Sequence, residues 1–506
     1  MTGNLFDRFV SAVVDPKKTA IETPSGERMT YDDLVALSGR LANALVARGV
    51  GPGDRVAAQV EKSVSALVLY LATLRAGAVF LPLNTAYTPA EIGYFLGDAE
   101  PTLFFCDPAS RAALEPEAAK AGSRVLTLDV QGQGAIMEEA ERASSEFRTV
   151  SRSGDDLAAL LYTSGTTGRS KGAMLTHDNL VSNALTLCQE WRFTARDVLI
   201  HALPIYHTHG LFVATNCVLF AGASMIFLPK FDPEAILKAM PRATALMGVP
   251  TFYTRLLQDR RIDRETTGHM RLFVSGSAPL LAETHREWQA RTGHAILERY
   301  GMTETGMNTS NPYDGDRVPG TVGFALPGIS IRVADPENGR PLPQGEIGVV
   351  EVKGPNVFKG YWRMPEKTQS EFRPDGYFIT GDLGRIDERG YLHIVGRGKD
   401  LIITGGFNVY PKEVESAIDE LPGVVESAVI GVPHADFGEG VAAVVVIEKG
   451  AQMTEAAILA ALETRLAKFK QPKRVIFTGE LPRNTMGKVQ KNVLRDTYKD
   501  LYRPKS

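Results

Sequence analysis

One ten-residue segment combines the groups that proteins use to bind a polyphosphate. Residues 163–172 read Thr-Ser-Gly-Thr-Thr-Gly-Arg-Ser-Lys-Gly and follow an apolar stretch, residues 157–162, that predicts a buried strand. Glycines allow backbone N–H groups to approach a ligand, hydroxyls donate hydrogen bonds, and cations neutralise charge. The spacing is not that of a Walker A loop. The segment therefore predicts a phosphate-binding loop at a strand end, with a solvated flexible loop as the alternative.

Four further motifs follow in chain order and give this loop a context. They are Tyr-Gly-Met-Thr-Glu at 300–304, Thr-Gly-Asp at 380–382, Gly-Arg-Gly-Lys-Asp at 396–400 and Asn-Thr-Met-Gly-Lys-Val-Gln-Lys at 484–491. Together with the loop they resemble the motifs of the adenylate-forming superfamily of acyl-CoA synthetases, adenylation domains and luciferases. The resemblance covers nearly the whole chain. It implies that a carboxylic acid is activated as an acyl-adenylate with release of pyrophosphate, with ATP, Mg²⁺ and coenzyme A as cofactors.

The resemblance assigns the nucleotide contacts. The loop would hold the β- and γ-phosphates, residues 276–279 would cover the adenine, and Asp382 and Arg397 would contact the ribose. Glu304 supplies a hard oxygen ligand, which suits a Mg²⁺ ion bound mainly by water and phosphates. The predicted ATP or AMP contacts are Thr163, Ser164, Gly165, Thr166, Thr167, Gly168, Lys171, Ser277, Ala278, Pro279, Glu298, Tyr300, Gly301, Met302, Thr303, Asp382 and Arg397.

The C-terminal motif provides the principal catalytic candidate, Lys488, with Thr303 and Glu304 beside the nucleotide. A point-like cation on a long stem could bridge the attacking carboxylate and the α-phosphate. The alternative is one more exposed lysine. The resemblance further implies a small domain that rotates about Lys399, after which Gly405 and Gly406 line the pantetheine tunnel. It also implies a protein acetyltransferase and deacetylase acting on Lys488, because acetylation would remove the charge.

Arg299 indicates what kind of acid the pocket accepts. A guanidinium inside a pocket is unfavourable unless an anion meets it, and a second substrate carboxylate would meet it bidentately. Residues 297–307 resemble those of malonyl-CoA synthetases, a group that includes enzymes taking methylmalonate. An internal salt bridge, for example to Glu298, is the alternative for Arg299. The predicted acid contacts are Arg299, His207, Thr208, His209 and Met307, of which Thr208 and Met307 would limit the space near C2 of the substrate.

The segments that must position these groups alternate between strand-like and helix-like patterns. This alternation predicts an α/β fold with largely parallel, buried strands, with an α+β mixture as the alternative. Short strands between turn signals predict a β-rich subdomain over residues 328–396. We predict an N-terminal AMP-binding domain over residues 1–396 and a small, mobile α+β domain over residues 397–506.

Composition narrows the classes of function. The 506 residues are 44% hydrophobic and 23% charged, with a formal net charge of −3. These values are typical of a globular protein and give no electrostatic reason to expect nucleic acid or membrane partners. The N-terminus lacks a signal-peptide pattern, so a cytoplasmic location is expected. The partner should be a small carboxylic acid. A carrier-loading adenylation enzyme, a ligase for another short or aromatic acid, and a non-catalytic nucleotide binder remain alternatives.

Overall fold

The structure is a computed structural model that describes residues 3–163, 170–405, 407–434, 436–463, 465–484 and 487–503. Six of the predicted site residues lie outside the described residues, namely Ser164, Gly165, Thr166, Thr167, Gly168 and Gly406.

The strands are β1 (Thr19–Glu22), β2 (Arg28–Thr30), β3 (Arg55–Gln59), β4 (Val79–Pro82), β5 (Leu103–Cys106), β6 (Arg124–Thr127), β7 (Leu157–Thr163), β8 (Lys171–Thr176), β9 (Val198–His201), β10 (Ser224–Phe227), β11 (Ala245–Gly248), β12 (Leu272–Ser275), β13 (Leu297–Met302), β14 (Gly306–Ser310), β15 (Phe324–Ala325), β16 (Ser330–Ala334), β17 (Gly348–Lys353), β18 (Phe378–Ile386), β19 (Leu392–Arg397), β20 (Ile402–Thr404), β21 (Phe407–Val409), β22 (Val424–His434), β23 (Gly438–Ile447) and β24 (Arg474–Phe477).

The α-helices are α1 (Leu5–Val10), α2 (Tyr31–Ala47), α3 (Val64–Arg75), α4 (Pro89–Ala99), α5 (Arg111–Lys120), α6 (Ala135–Arg142), α7 (His177–Glu190), α8 (Asn216–Phe220), α9 (Pro233–Ala239), α10 (Pro250–Leu257), α11 (Arg264–Thr267), α12 (Ala282–Thr292), α13 (Pro365–Ser370), α14 (Pro411–Asp419), α15 (Glu455–Glu463) and α16 (Lys491–Tyr498). A π-helix, His209–Thr215, leads into α8, and a 3₁₀ turn, Gly398–Asp400, follows β19. None of the helices in the described parts of the chain combines the length and apolar character needed to span a bilayer.

Two large sheets form the N-terminal part of the molecule. Among the described residues, one sheet has the order β6-β5-β3-β4-β7-β8 and the other has the order β15-β14-β13-β12-β11-β9-β10-β1-β2. Their central strands run parallel, whereas β8 pairs with β7 in the antiparallel sense and β14 pairs likewise with β13. Parallel strands need both faces covered, which explains why these strands are continuously apolar in the sequence. The predicted α/β class is therefore confirmed.

Helix α3 shows how the sequence places an element in the core. Ser63 caps its first turn by accepting a hydrogen bond from the Ala66 N–H, and nearly every later side chain of the helix is buried. A helix that is apolar on all sides must be enclosed. Its residues join one continuous core with strands of both large sheets, from Ile21 to Leu161 and Leu199. The strand ends that carry the site are therefore held by a shared core.

Two smaller sheets follow along the chain. Strands β16, β17, β18 and β19 form an antiparallel sheet in that order, at the place predicted for a β-rich subdomain. Beyond it, β20 to β24 form a separate sheet with its own apolar clusters, one under α14 and α15 and the other under α16. The last strand of the first sheet ends at Arg397 and the first strand of the second begins at Ile402. The predicted domain boundary, between residues 396 and 397, lies at the last residues of β19, next to this connection, and stays a prediction.

Candidate active site

The described ends of the phosphate loop are fixed by a strand pair. Thr163 closes β7 and pairs with Lys171, which opens β8. Lys171 is buried, and its ammonium nitrogen lies 3.1 Å from Glu371 Oε1 and 4.1 Å from the centre of the Tyr361 ring. A buried ammonium requires such partners. Lys171 is therefore presented at the base of the loop by groups from outside the predicted motif.

Glu304 lies beside this ammonium as a buried carboxylate. The Thr163 hydroxyl donates to Glu304 Oε1 over 3.3 Å, and the Tyr361 hydroxyl lies 3.1 Å from Glu304 Oε1 and 2.7 Å from Glu371 Oε2. Burial raises the pKa of Glu304. One phenol proton thus faces two carboxylates, which leaves Glu304 with oxygen lone pairs for a hard cation. The sequence analysis missed Tyr361 and Glu371, because neither residue belongs to a motif with a recognisable spacing.

A second group of predicted residues meets on the β-rich sheet. The Tyr300 hydroxyl donates to Asp382 Oδ2 over 2.5 Å, and Arg397 Nε lies 2.7 Å from Asp382 Oδ1. Asp382 and Arg397 are cross-strand partners on β18 and β19. Burial, followed by the Asp382 charge, raises the pKa of Tyr300. These three predicted nucleotide contacts therefore form one hydrogen-bonded cluster.

The remaining predicted nucleotide contacts fall into two places. Gly301 and Met302 end β13, and Thr303 begins the turn that carries Glu304 before β14. Glu298 points away from them: its carboxylate lies 3.5 Å from His285 Nδ1 and 3.3 Å from the Gly320 N–H. The structure thus places Glu298 in a buried pair with His285, and its predicted role in ATP binding stays a prediction.

The loop after β12 has an unusual backbone. Ser277 has φ +71°, a left-handed conformation that is strained for a non-glycine residue and is characteristic of functional sites. Its hydroxyl lies 3.2 Å from His209 Nδ1. Ala278 follows half-buried and Pro279 is exposed. The predicted adenine loop and the predicted acid-contact segment therefore touch through Ser277 and His209.

Arg299 occupies the centre of the predicted acid pocket. It is 4% exposed, and its Nε and Nη2 have no hydrogen-bond partner among the described residues. Desolvation lowers the pKa of its guanidinium to about 9, so the group keeps its charge at neutral pH. The guanidinium lies directly over Gly276, where a Cβ would sit 2.3 Å from Arg299 Cζ. The predicted internal salt bridge to Glu298 does not form, since Glu298 faces His285.

The two histidines of the pocket are held in their neutral forms. Burial, followed by the charges of Lys488 and Arg299, lowers the pKa of His207 to about 3. Burial and Arg299 also lower the pKa of His209, whose Nε2 has no partner within the described residues. The neighbouring Thr208 hydroxyl is buried and likewise unpartnered there. The pocket wall thus carries polar groups that have no partner in the described protein.

Met307 is the predicted acid contact on β14. It is buried, and Asn183 holds its backbone from both directions, with Asn183 Oδ1 accepting from the Met307 N–H at 3.0 Å and Asn183 Nδ2 donating to the Met307 carbonyl at 2.9 Å. This clamp from α7 fixes the position of the Met307 backbone. Asn183 is a third residue that was not predicted from the sequence, because a helical asparagine carries no signal of its own.

Lys488 reaches this site from the C-terminal sheet domain. Desolvation, followed by repulsion from Arg397, lowers the pKa of its ammonium. The charges of Asp382 and Glu304 act in the opposite direction and raise this pKa. The residue as a whole keeps an exposed surface. Its backbone N–H donates to Asn484 Oδ1 over 2.9 Å. The lysine loop therefore faces the nucleotide cluster on one side and His207 on the other.

Two described residues were predicted for domain motion and CoA binding, and the charge of the first, Lys399, is near enough to Lys488 to lower the pKa of its ammonium. Lys399 is exposed within the Gly398–Asp400 turn. Gly405 has φ +57° and is exposed between β20 and β21. Glycine suits this backbone conformation. Their roles stay predictions.

Comparisons with known proteins agree with the assembled site. A family model described as AMP-binding enzyme matches residues 9–362, and a second, AMP-binding enzyme C-terminal domain, matches residues 413–488. The chain is 71% identical to MatB from Rhodopseudomonas palustris with ATP bound, covering 99% of this chain and 100% of that one with a TM-score of 0.98. Against the apo form of the same protein the TM-score is 0.86.

Two curated relatives show the range of related acids. A malonate–CoA ligase of Arabidopsis thaliana is 35% identical over 476 residues, which are 88% of this chain and 78% of that protein. A feruloyl-CoA synthase of Amycolatopsis is 37% identical over 489 residues, 96% of each. Because the first family model alone matches more than half of the residues, the chain belongs to the family of AMP-binding enzymes, and its resemblance to the adenylate-forming superfamily is confirmed.

Proposed function

We propose that this chain is an AMP-forming acid–CoA ligase that activates malonate as malonyl-AMP and transfers the malonyl group to coenzyme A. The observation that carries the proposal is the buried guanidinium of Arg299, whose Nε and Nη2 have no partner in the described protein. The neutral His207 lies within range of the charges of both Arg299 and Lys488. A short diacid could place one carboxylate on Arg299 and the other toward Lys488.

In the first half-reaction, one malonate oxygen attacks the α-phosphorus of ATP and pyrophosphate leaves. Lys488 would stabilise the charge shared by the attacking carboxylate and the α-phosphate, and Lys171 would stabilise the leaving group. Asp382 and Arg397 would orient the ribose. Glu304 fits a Mg²⁺ site because it is a buried carboxylate that faces Lys171 and Thr163. Bound Mg²⁺ would neutralise phosphate charge. No general base is needed, since malonate is ionised at neutral pH.

In the second half-reaction, the thiol of coenzyme A attacks the acyl carbon and AMP leaves. We propose that the C-terminal domain, residues 397–506, turns about Lys399 to remove Lys488 and to bring Gly405 and Gly406 to the pantetheine arm. The exposed position of Lys399 between two separate sheets supports a hinge there.

The preference between malonate and methylmalonate depends on the space near C2. Thr208 and Met307 are the residues that we propose to limit it. Both are buried, and Asn183 holds the Met307 backbone in place. We therefore expect malonate to be preferred, with methylmalonate accepted more slowly.

The proposal is tested by pyrophosphate release with ATP and Mg²⁺ against malonate, methylmalonate, succinate, acetate, butyrate, benzoate and ferulate, each with and without coenzyme A. We expect CoA-dependent turnover with the C3–C4 diacids. Turnover with ferulate or benzoate in place of malonate would support the aromatic alternative, for which the feruloyl-CoA synthase relative is the reason. Stoichiometric pyrophosphate without CoA turnover would favour loading of a carrier protein.

Regulation and location complete the proposal. The exposed surface of Lys488 leaves it open to an acetyltransferase, and acetylation would remove the charge that the first half-reaction uses. A deacetylase would restore activity, so the rate after enzymatic acetylation should fall and then recover. A cytoplasmic location stays part of the proposal and would be tested by fractionation.

A further inference from the structure

Lys62 is a buried lysine that the proposed reaction does not use. It lies between β3 and α3, is 7% exposed, and forms no ion pair with a carboxylate of the described residues. Its ammonium nitrogen lies 2.9 Å from His201 Nδ1, 2.7 Å from the His201 carbonyl oxygen and 4.3 Å from the centre of the Phe227 ring. Burial holds the pKa of Lys62 well below its usual range. A group of this kind is kept in a core only where its hydrogen bonds are satisfied.

The contact joins the two large sheets at their carboxyl ends. Lys62 follows the end of β3 in the six-stranded sheet of the described residues, and His201 is the last residue of β9 in the other sheet. Ligand sites in parallel sheets lie outside these strand ends. Lys62 therefore sits under the region where the acid pocket is built.

The surroundings of His201 also determine its tautomer. The ring is neutral and the Gly210 carbonyl oxygen that faces its Nε2 can only accept a hydrogen bond, so the imidazole proton is on Nε2 and Nδ1 accepts from Lys62. His201 Nε2 lies 2.9 Å from the Gly210 carbonyl oxygen and 3.1 Å from Thr215 Oγ1. The Thr215 hydroxyl itself donates to the Gly210 carbonyl over 3.0 Å. A continuous chain of hydrogen bonds thus runs from Lys62 to the backbone of Gly210.

Gly210 belongs to the segment that lines the acid pocket. It directly follows Thr208 and His209, which carry the unpartnered Oγ1 and Nε2 atoms of the pocket. A Cβ at Gly210 would lie 2.0 Å from the Pro204 carbonyl oxygen, so the chain folds back tightly here. The π-helix His209–Thr215 begins at the same place, and π-helical turns are frequent at functional sites because they re-aim side chains.

We propose that Lys62 is a positioning residue for the acid substrate: through His201 it fixes the carbonyl of Gly210, and thereby the aim of Thr208 and His209 into the pocket. The inference rests on the proposed acid–CoA ligase function, but not on malonate being the acid. It predicts that Lys62 affects acid binding far more than nucleotide binding, because Tyr300, Asp382 and Arg397 lie on other strands, although Ser277 of the predicted adenine loop contacts His209.

The kinetic test is Lys62→Met, which keeps a similar stem and removes both hydrogen bonds to His201. We expect the KM for the acid to rise roughly 10- to 100-fold, because a small misplacement of a binding group has an effect of that size. The KM for ATP should change by less than about twofold. Lys230→Met, at an exposed lysine after β10, is the matched control. A Lys62→Gln variant, whose amide can still donate to His201 Nδ1, should recover part of the loss. Equal changes in both KM values, or no change in either, would overturn the proposal.

The test has a second arm that needs no activity. With ¹⁵N-labelled histidine, the wild-type spectrum should show His201 neutral with its proton on Nε2 throughout pH 5 to 8, assigned by its loss in His201→Gln. An Nδ1–H tautomer would contradict the hydrogen-bond chain. If Lys62→Met fails to fold, Thr215→Val provides the kinetic arm, because it removes one donor to Gly210 at similar volume and should raise the acid KM selectively. If the wild type does not accept malonate, the proposed substrate fails, and the KM comparison is made with the acid that it does accept.

Discussion

Arg299 is the residue that most narrowly defines the substrate. It is an enclosed cation that keeps its charge at neutral pH. Its Nε and Nη2, which have no partner among the described residues, lie in a pocket whose histidines are held neutral. A buried charge without a counter-ion is expensive in a folded protein. Binding an anion there relieves that cost, so the same residue destabilises the empty pocket and favours a diacid.

The first prediction concerns this guanidinium. Arg299→Gln should lower kcat/KM for malonate by roughly 10²- to 10³-fold, as the loss of one member of a buried charge pair does. The KM for ATP should change little. The steady-state kinetics of both substrates test this, with Arg286→Gln, an exposed arginine on α12, as the control. An unchanged malonate KM would assign Arg299 to structure alone.

Lys488 is the second residue with its own prediction, because its charge should act on acyl-adenylate formation and not on ATP binding. Its ammonium lies within range of the charges of Asp382 and Glu304, and its own charge acts on the neutral His207, so it is between the proposed nucleotide and acid subsites. Lys488→Ala should reduce acyl-adenylate formation by about 10²-fold or more, because it removes a charge that acts in the transition state.

Calorimetry should still detect ATP binding to Lys488→Ala at near wild-type affinity. The nearby Lys491→Ala variant provides no matched control, since Lys491 Nζ lies 2.5 Å from Glu415 Oε1. Lys499→Ala, at an exposed residue beyond α16, is suitable. Loss of ATP binding together with activity would contradict a catalytic role for Lys488.

At the scale of elements, Lys171 on the β7–β8 pair is positioned for the phosphates by contacts with residues at the end of α13 and in the segment before it. Glu371, just beyond α13, binds Lys171, Lys367 and the Tyr361 hydroxyl, and Tyr361 in turn reaches Glu304. The β-rich sheet region is thereby connected to the phosphate site through side chains.

Glu371→Gln should therefore raise the KM for ATP and the Mg²⁺ concentration for half-maximal rate, each by roughly tenfold, since a charge-assisted hydrogen bond contributes about 1.5–3 kcal/mol. The KM for the acid should stay near that of the wild type. Pyrophosphate release over a Mg²⁺ titration measures the effect, with Glu366→Gln, exposed in the first turn of α13, as the control. A loss of thermal stability with unchanged Mg²⁺ dependence would contradict this role.

The sequence predicted the strands and motifs well because each depends on local patterns. Continuous apolar runs predicted the parallel strands, and ordered motifs predicted Tyr300, Asp382 and Arg397, which the structure brings together. Contacts between distant segments could not be predicted in this way. Glu371, Asn183 and Lys62 act on the site across long stretches of chain, and only the three-dimensional fold shows which backbone atoms or charges they meet.

At the scale of the whole molecule, the arrangement of the C-terminal sheet domain matters most. The structure is more similar to the ATP-bound form of MatB, with a TM-score of 0.98, than to its apo form, with 0.86. In this arrangement the Lys488 loop faces Arg397, Asp382 and Glu304. Gly405 is exposed in this arrangement, which suits acyl-adenylate formation, and we propose that thioester formation uses a different one.

The last prediction uses Lys399→Pro to test whether thioester formation needs a different arrangement of the C-terminal domain. Proline fixes φ near −65°, which is compatible with the Gly398–Asp400 3₁₀ turn, so the present arrangement should be preserved while the rotation that changes backbone torsion is blocked. We expect acyl-adenylate formation, measured as ATP–pyrophosphate exchange, to stay within about threefold of the wild-type rate. The CoA-dependent turnover should fall by roughly 100-fold, because the conformational step becomes limiting. Lys399→Ala, which removes the side chain but leaves the torsions free, should support both half-reactions. Equal loss of both half-reactions in Lys399→Pro would contradict a hinge at this residue, since a block of rotation alone can impair only the step that follows it.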